Sequence, residues 1–390
     1  MSRKRVLIGH PFVHPVGGGN AVAAWAIQAL RHDYDVSVAT LGPINAGAVD
    51  RSFGTSLAAR DFEVLVAPSR YQRILRAKDA LRTPGALLEA SLTARWTRRV
   101  DRERRFHALL YTQNEADLGR PGLQYIHYPA LYLPRPEIEM RLRHRIPGLL
   151  WLYRRSCFPN PSVTISRIRA NQSLVNSEFV AGRTRKVIGG NPIVLYPPVP
   201  GEFPEKPWDK RRNGIMGIGR LAGYKRWRMV AEIVEALRQA GHELTLTIAG
   251  HPDDPGEVEA LGNLAATRPW FRLLTNLSRP ELEAEATDHR YGIHAMVDEH
   301  FGIAVAELQR AGCITFVHNS GGAIEIVGLD SRQTFDDPQD AIGKISRVLS
   351  NPELAAELCS LALARRERFS AGRFCDSLRG IVARFIEEHP

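Results

Sequence analysis

The chain has 390 residues, of which 44% are hydrophobic and 24% are charged, and it carries a net charge of +10; this composition is typical of a globular protein, and the length predicts two domains. No apolar run approaches the roughly 20 residues that cross a bilayer, and the apolar stretch near the N-terminus is too short for a signal peptide. Four scattered cysteines without a C-x-x-C pair argue against a disulfide framework or a zinc site and favour a cytoplasmic protein with reduced thiols.

The first half of the chain alternates short apolar runs with stretches of helical period. Residues 6–9 predict a first strand, and the triplet Gly17-Gly18-Gly19 then leads into a helix from Asn20 to about Arg31. Further strands are predicted at 36–40, 64–67, 109–112, 123–127, 173–176 and 193–196.

The second half repeats this alternation after a proline-rich stretch. Residues 192–207 contain six prolines, too many for a helix, and predict a linker between domains. A helix is then predicted at about 225–240, and strands at 214–219, 244–249, 273–274, 292–296 and 314–318. The pattern predicts an α/β protein with two Rossmann-like, doubly wound domains over 1–198 and 199–370. The last helix, within 371–390, is expected to pack back toward the first domain.

The positive charge is concentrated in part of the first half. Residues 60–155 contain 19 basic and 10 acidic side chains, which accounts for nearly all of the net charge of +10. In the basic segment 69–106, arginines are interspersed with leucine, isoleucine and tryptophan: Arg70, Arg73, Arg76, Arg82, Arg95, Arg98, Arg99, Arg102, Arg104 and Arg105. This pattern predicts a surface for anionic lipid or another polyanion, and the alternative is a solvated helical face. Nucleic acid is less favoured, because few aromatic residues are interleaved for base stacking.

Two glutamates eight positions apart form the strongest candidate site. Glu299 lies in the loop before a predicted helix that begins near Gly302, and Glu307 lies in the second turn of that helix. Both carboxylates can therefore face one ligand. A carboxylate accepts two hydroxyl hydrogen bonds at once, which suits a sugar or a ribose. The alternative is a chance spacing.

Three other loops follow predicted strands, where doubly wound sheets bind their ligands. Arg220 ends one strand and Lys225 begins the next helix, so the two cations together can hold a diphosphate. Gly321-Gly322 precedes a short helix and predicts an anion-binding nest. His127 ends a strand of the first half, where a structural histidine is an equal alternative.

The glycine triplet 17–19 also precedes a helix. Glycines let backbone N–H groups approach a ligand, and a helix N-terminus favours anions. The triplet lacks the G-x-G-x-x-G spacing of a dinucleotide fingerprint, so a plain turn stays open as the alternative.

Together these motifs resemble family 4 of the retaining glycosyltransferases, which have the GT-B fold. The resemblance rests on three motifs: Gly-Arg-Leu-x-x-x-Lys at 219–225, Glu-His-Phe-Gly-Ile-x-x-x-Glu at 299–307, and Gly-Gly-x-x-Glu at 321–325. The sequences at 125–129, 175–177 and 196–198 are most similar to the subgroup that contains the α-1,2-mannosyltransferase of lipid-linked oligosaccharide synthesis. The resemblance covers both halves in order, apart from the basic segment. It implies two Rossmann-like domains that face a central cleft, with the last helix crossing back to the first.

The resemblance also implies roles for individual residues. Glu307 would hold the nucleotide ribose, Glu299 the donated sugar, and Arg220 with Lys225 the donor diphosphate, while His127 would lie near the reactive carbon. The implied catalytic residues are Glu299, His127, Arg220 and Lys225; the donor site adds Glu307, Phe301, Gly302, Gly321 and Gly322, and an acceptor or phosphate loop contains Gly17, Gly18 and Gly19. Asn20 departs from the pattern, because many relatives have a glutamate soon after the glycines.

The implied reaction moves a hexose, with mannose from GDP-mannose as the first choice, to a hydroxyl of a glycan or lipid-linked acceptor. Relatives retain the anomeric configuration, with the leaving phosphate taking the acceptor proton on the front face. Since Arg220 and Lys225 can stabilise the departing diphosphate, we expect no metal and no cofactor. The one Asp-x-Asp, at 33–35, is interpreted as a solvated loop. We expect the protein to be cytoplasmic and peripheral on the inner face of the membrane.

Other functions are compatible with the same motifs. A UDP-sugar could replace GDP-mannose within the family, with a different acceptor. A nucleotide-sugar epimerase or hydrolase would need further acid and base carboxylates around the sugar. A non-catalytic nucleotide-sugar-binding protein would have lost one or more of Arg220, Lys225 and Glu299, and all three are present.

Overall fold

The computed structural model describes residues 3–15, 17–80, 86–130 and 161–390, together with Gly148, Leu152 and Arg155. The chain divides into two compact units. Unit 1 comprises Met1–Pro198 and Ala371–Pro390, and unit 2 comprises Val199–Ser370. The boundary at 198/199 falls inside the proline-rich stretch, which also contains a short strand of unit 1.

Unit 1 contains a parallel sheet of seven strands, counted over its described residues. The elements are β1 Arg5–Gly9, α1 Gly18–Leu30, β2 Asp35–Thr40, α2 Ala46–Phe53, β3 Phe62–Val66, α3 Ser69–Ala80, α4 Ala86–Arg104, β4 Ala108–Tyr111, β5 Leu123–Ile126, α5 Pro161–Arg169, β6 Gln172–Val175, α6 Glu178–Val187 and β7 Ile193–Val194. The strand order is β3-β2-β1-β4-β5-β6-β7. The winding direction therefore reverses between β1 and β4, as in other doubly wound sheets.

Unit 2 repeats this plan with six parallel strands in the order β10-β9-β8-β11-β12-β13. Its elements are β8 Arg212–Ile218, α7 Trp227–Gln239, β9 Thr245–Gly250, α8 Pro255–Ala266, β10 Phe271–Thr275, α9 Arg279–Asp288, β11 His289–His294, α10 Ile303–Arg310, β12 Ile314–His318, α11 Ala323–Ile326, β13 Thr334–Phe335, α12 Pro338–Leu349 and α13 Pro352–Arg365. Here the winding reverses between β8 and β11.

The C-terminal helix α14, Ala371–Glu388, belongs to unit 1. Its apolar stripe, which includes Phe374, Leu378 and Val382, is buried in one cluster with Ile27 of α1. The expectation that the last helix returns to the first domain is therefore confirmed, and so is the α/β fold with two Rossmann-like domains.

Burial on both faces explains the continuous apolar runs of the central strands. In β1, Val6 and Ile8 pack in the cluster that contains α1 and α14, whereas Leu7 packs in the cluster that contains α4. Side chains alternate between the two faces of a strand, so a strand covered on both faces needs apolar residues at every position.

Two short elements, α2 and β13, were not predicted from the sequence. The predicted helix start at 225 was also too early. Residues 223–225 form a 3-10 turn, and the backbone of Arg226 is in the left-handed conformation, with φ of 60°. The regular helix α7 therefore begins at Trp227.

The basic segment forms α3 and α4, and its residues 81–85, including Arg82, lie outside the described part of the chain. The apolar side of α4 faces inward: Leu92, Trp96 and Val100 are buried, and Trp96 Nε1 donates to the Leu65 carbonyl at 2.7 Å. These apolar residues belong to the core of unit 1, whereas Ile74 of α3 is 45% exposed. Among the described helices, none has a long enough apolar stretch to cross a membrane.

Candidate active site

Three loops of unit 2 meet at the carboxyl edge of its sheet. They follow β8, β11 and β12 and carry Lys225, Glu299 and Gly321, respectively. Strands β8 and β11 are the neighbours between which the winding reverses, so the loops diverge there and leave room for a ligand.

Lys225, Glu299 and His294 form a buried polar cluster at this edge. Lys225 Nζ lies 2.6 Å from Glu299 Oε2, and His294 Nε2 lies 3.1 Å from the same oxygen. The side chains of Lys225 and Glu299 are 12% and 15% exposed, and that of His294 is 2% exposed. The other carboxylate oxygen, Oε1, accepts the His300 backbone N–H at 3.2 Å. The carboxylate is thus fixed in orientation by three donors.

The surroundings of this cluster determine its charge. Burial alone would raise the pKa of the Glu299 carboxyl, but the Lys225 cation and the His294 hydrogen bond outweigh it and hold the pKa well below its usual value. Burial lowers the pKa of His294, which the hydrogen bond to Glu299 only partly offsets. At neutral pH the cluster therefore contains a carboxylate, an ammonium group and a neutral imidazole that donates from Nε2.

His294 was missed in the sequence, although a signal was present. It is the last residue of β11 and stands five residues before Glu299. A histidine at a strand end beside a candidate carboxylate is the pattern that would have indicated it.

Gly321 and Gly322 support the Glu299 loop. Gly321 has φ of +73°, and a Cβ atom there would lie 2.3 Å from the Glu299 carbonyl oxygen. The Gly322 N–H donates to that same oxygen at 2.7 Å. The predicted anion contact at this loop must therefore come from N–H groups after Gly322, and it stays a prediction.

Arg220 is the exposed cation of the site. Its side chain is 59% exposed, and its guanidinium lies 3.4 Å from Asp253 and over the ring of Tyr224 at 5.2 Å. Lys225 Nζ lies 5.7 Å from the centre of the same ring. The two predicted diphosphate ligands are therefore brought together around one aromatic side chain.

Trp227 explains the bulky sequence after Lys225. Its indole is fully buried and donates from Nε1 to the Arg220 carbonyl at 2.9 Å. Gly217 and Gly219 lie against the ring, where a Cβ atom would be 2.6 Å and 3.1 Å from it. The tryptophan thus holds the loop after β8 in place.

Glu307 lies in the second turn of α10, as expected, and is only 7% exposed. It forms an ion pair with Arg279, whose guanidinium also contacts Glu283 at 2.6 Å. Burial lowers the pKa of Arg279, but the two carboxylates outweigh it and the pKa is raised overall. Among the described residues, no donor contacts Glu307 Oε2, which leaves that oxygen for the predicted ribose contact. Sequence reasoning missed Arg279, which stands 28 residues away.

Phe301 and Gly302 mainly shape the backbone. Gly302 has φ of +99° and begins α10. The Phe301 side chain is 2% exposed and contacts the Phe369 ring at a centroid distance of 5.6 Å. Its ring therefore belongs to the core of unit 2, and a donor contact by Phe301 could come only from its backbone.

In unit 1, the glycine triplet and His127 are brought together at the carboxyl edge of the sheet. Gly17 has φ of +94° and precedes α1, while a Cβ atom on Gly19 would lie 3.4 Å from His127 Nε2. Gly18 is the first residue of the helix. The His127 ring contacts the Thr112 carbonyl at 3.0 Å. The roles of these residues toward a substrate stay predictions.

A second histidine in this group was not identified in the sequence. His10 is 3% exposed, with Nδ1 at 2.9 Å from Thr112 Oγ1 and Nε2 at 3.0 Å from Asn20 Oδ1. Burial lowers its pKa to about 4, so the ring is neutral at physiological pH. The unusual Asn20 thus has a partner in this chain, since it orients His10.

The described residues contain no group of three or more His, Cys, Asp or Glu side chains arranged to hold a metal ion. Asp33 and Asp35 of the Asp-x-Asp sequence are exposed where β2 begins.

Residues 200–362, which lie in unit 2, match the family described as Glycosyl transferases group 1. Curated relatives include two proteins named GDP-Man:Man(3)GlcNAc(2)-PP-Dol alpha-1,2-mannosyltransferase. The one from Candida glabrata is 25% identical over 226 residues, which cover 53% of this chain and 45% of the relative. The one from Mus musculus is 23% identical over 368 residues, which cover 80% and 72%. This chain therefore spans less than half of the Candida protein and most of the mouse protein.

Solved structures share the fold over nearly the whole chain. A glycosyltransferase from Rickettsia africae has a TM-score of 0.68 at 14% identity, covering 99% of each chain. Anabaena HepE, solved in complex with UDP and glucose, has a TM-score of 0.65 at 13% identity, covering 98% of this chain and 100% of that one. At these identities the likeness concerns the fold alone, and it confirms the expected GT-B class.

Proposed function

We propose that this chain, a member of the glycosyl transferases group 1 family with a GT-B fold, is a retaining hexosyltransferase that uses GDP-mannose. It would transfer mannose to a hydroxyl of a glycan or of a lipid-linked acceptor. The names of its curated relatives support this donor and this class of acceptor.

The observation that carries the proposal is the buried cluster of Lys225, Glu299 and His294 at the carboxyl edge of the unit 2 sheet. An ionised, oriented carboxylate with hydroxyl-binding capacity suits a sugar ring. The ammonium group beside it suits the charge that develops on a departing diphosphate. Because both charges are already in position, little reorganisation of the protein is needed when the transition state forms.

The leaving diphosphate would be stabilised by Lys225 and Arg220. Lys225 has three N–H donors, and one of them is directed at Glu299. Arg220 is exposed and adds a planar fork that can bind two phosphate oxygens. With two cations at this position the reaction would proceed without a metal, and the leaving phosphate itself would accept the proton of the incoming hydroxyl on the front face.

The nucleotide would be held through its ribose by Glu307. Its Oε1 is paired with Arg279, which fixes the carboxylate plane, while Oε2 would accept ribose hydroxyls. Arg279 therefore acts as a positioning residue in this proposal.

We further propose that the enzyme works at the cytoplasmic face of a membrane, where a lipid-linked acceptor would be present. The support is the charge of α3 and α4, which remains at the surface while Leu75, Leu92 and Trp96 pack inside unit 1. Attachment by charge alone should be weakened by salt, because the Debye length falls from about 10 Å at 0.1 M to about 3 Å at 1 M. If the protein binds anionic liposomes at low ionic strength and the binding persists at 1 M salt, attachment through charge is contradicted.

A thermal-shift panel tests the donor assignment. A ligand at 100 times its dissociation constant stabilises the native state by about 2.7 kcal/mol, so GDP-mannose should raise the melting temperature and should do so equally in EDTA. The matched variant Glu307→Gln should lose most of this shift. A larger shift with UDP-sugars than with GDP-mannose would refute the nucleotide, and a shift that needs divalent metal would refute metal independence.

A further inference from the structure

An arginine-lined cavity of about 800 Å³ lies in unit 1. Its lining, in the described part of the chain, includes neither the glycine triplet nor His127. Its walls come from α4, from the start of α3, from α5 and from the segment between β4 and β5. Seven of the described lining residues are arginines, four of them on α4: Arg95, Arg98, Arg99 and Arg102. The volume is within the range of about 300–1,000 Å³ that is typical of ligand pockets.

Carboxylates pair with Arg98, Arg99, Arg120 and Arg167 on the cavity wall. Arg99 Nε lies 2.7 Å from Glu103 Oε1, and Arg167 Nη1 lies 3.6 Å from Asp117 Oδ2. Arg98 Nη1 lies 2.8 Å from Asp117 Oδ2, and Gly119, with φ of +85°, allows the Arg98 side chain to lie against it. Arg120 donates to Asp101 from Nε at 2.8 Å and from Nη2 at 3.0 Å. These side chains are therefore held in place before any ligand binds, which lowers the entropic cost of recognition.

Positive side chains predominate in the described lining of the cavity. Seven arginines stand beside two acidic residues, Asp101 and Glu103. A concave site with such an excess of guanidinium groups concentrates anions.

The chemistry of the lining favours phosphate. Guanidinium forks bind phosphate oxygens in pairs, and several forks around one cavity suit a group with two or more negative charges. Among the described lining residues Tyr71 is the one aromatic side chain, so this part of the lining offers no series of rings for stacking bases. We infer that this cavity is a binding site for a phosphomonoester or diphosphate group, separate from the donor site of unit 2.

Pyrophosphate is the probe for this site, titrated calorimetrically into the full chain. The variant Arg99→Gln/Arg102→Gln removes two guanidinium groups from the cavity, and both side chains are exposed enough for the fold to be kept. Affinity should fall at least about tenfold, which corresponds to about 1.4 kcal/mol.

The matched control is Arg73→Gln/Arg76→Gln. It removes the same charge from exposed positions of α3 that do not line the cavity. It should keep pyrophosphate affinity within about twofold. Both variants retain Lys225 and Arg220, so pyrophosphate bound at the donor site contributes equally to the two titrations. Equal weakening in both variants, or no weakening in the cavity variant, would overturn the inference.

The variant Arg99→Lys/Arg102→Lys tests whether the forks matter. It keeps the charge and loses the planar donors, so its affinity should lie between those of the wild type and the glutamine variant. A lysine variant that binds as well as the wild type would overturn recognition by arginine forks.

Vesicles identify the source of the phosphate group. Vesicles with phosphatidic acid expose a phosphomonoester, and vesicles with phosphatidylglycerol, matched in surface potential, expose only a phosphodiester. Preference for phosphatidic acid that requires Arg99 and Arg102 assigns the site to a lipid headgroup. Pyrophosphate binding without that preference assigns it to a free phosphorylated ligand. If neither pyrophosphate affinity nor the preference for phosphatidic acid depends on Arg99 and Arg102, the inference is overturned.

Discussion

Replacement of Lys225 by methionine would remove the cation that balances a buried carboxylate, while keeping an unbranched side chain. Lys225 Nζ lies 2.6 Å from Glu299 Oε2, and both side chains are less than one fifth exposed. At an effective dielectric constant of about 20, unit charges at this separation attract by roughly 6 kcal/mol. Desolvation offsets part of this, and removing one partner of a buried pair costs about 3–5 kcal/mol. We expect Lys225→Met to lower the free energy of unfolding of unit 2 by that amount at pH 7.

The pH dependence of the loss follows from the same contacts. In the wild type the folded pKa of Glu299 is depressed, because Lys225 and His294 outweigh burial. The carboxylate therefore adds stability above its unfolded pKa, and this is lost as the pH falls through the folded value. In Lys225→Met, burial acts without the cation and raises the folded pKa. The deficit should then be largest at neutral pH and should shrink as the pH falls through the raised folded pKa of the variant, where the carboxyl takes up a proton.

The assay is thermal unfolding of the full chain, with amide hydrogen exchange to assign the transition of unit 2. The expected loss corresponds to a fall in melting temperature of roughly 6–20 °C. The double variant Lys225→Met/Glu299→Gln removes both charges and should recover most of the loss. A single variant within about 1 kcal/mol of the wild type, as for an exposed ion pair, would refute the reasoning. Additive effects of the two substitutions would refute it as well.

Three further predictions concern other contacts. Gly321→Ala should lower the melting temperature and weaken GDP-mannose binding, because its Cβ would lie 2.3 Å from the Glu299 carbonyl oxygen; an unchanged melting curve would contradict this. His10 has a pKa of about 4 against 6.5 in the reference state, so the unfolded chain binds the extra proton and stability should fall by roughly 3 kcal/mol as the pH drops through that window. His10→Gln should flatten that fall in a denaturant titration series, and an unaltered pH profile would rule out His10 as its cause. Arg279→Met should weaken nucleotide affinity more than tenfold, since Glu307 loses the guanidinium that orients it; calorimetry with GDP that shows unchanged affinity would exclude the positioning role.

Much of the fold could be predicted because buried parallel strands have a strong sequence signal. The run that forms β12 was predicted with its observed bounds, Ile314–His318, since both of its faces are buried. The bounds of β3 were less accurate, predicted at 64–67 and observed at Phe62–Val66. Several of its residues are exposed at the sheet edge, so their burial pattern is weak, and its start is set by pairing with β2.

The candidate site was only partly visible in the sequence, for a related reason. Glu299 and Lys225 could be found because each lies in a loop beside a recognisable strand or helix. Arg279 and His10 could not, because Glu307 lies 28 residues from Arg279 and Thr112 lies 102 residues from His10, and only the folded chain brings them together. In the basic segment, Trp96 is buried, so the apolar residues among the arginines reflect a helix with one buried face. The predicted surface for anionic lipid or another polyanion stays a prediction.

The central claim is that the Lys225–Glu299 centre transfers mannose from GDP-mannose. The most direct measurement is the transfer of radiolabelled mannose from GDP-mannose to a lipid-linked oligosaccharide acceptor in EDTA, with Glu299→Gln as the matched variant. The wild type should form an acceptor-dependent, lipid-extractable product, and the variant should not form it. Equal product from Glu299→Gln, or GDP release by the wild type that does not depend on acceptor, would contradict it.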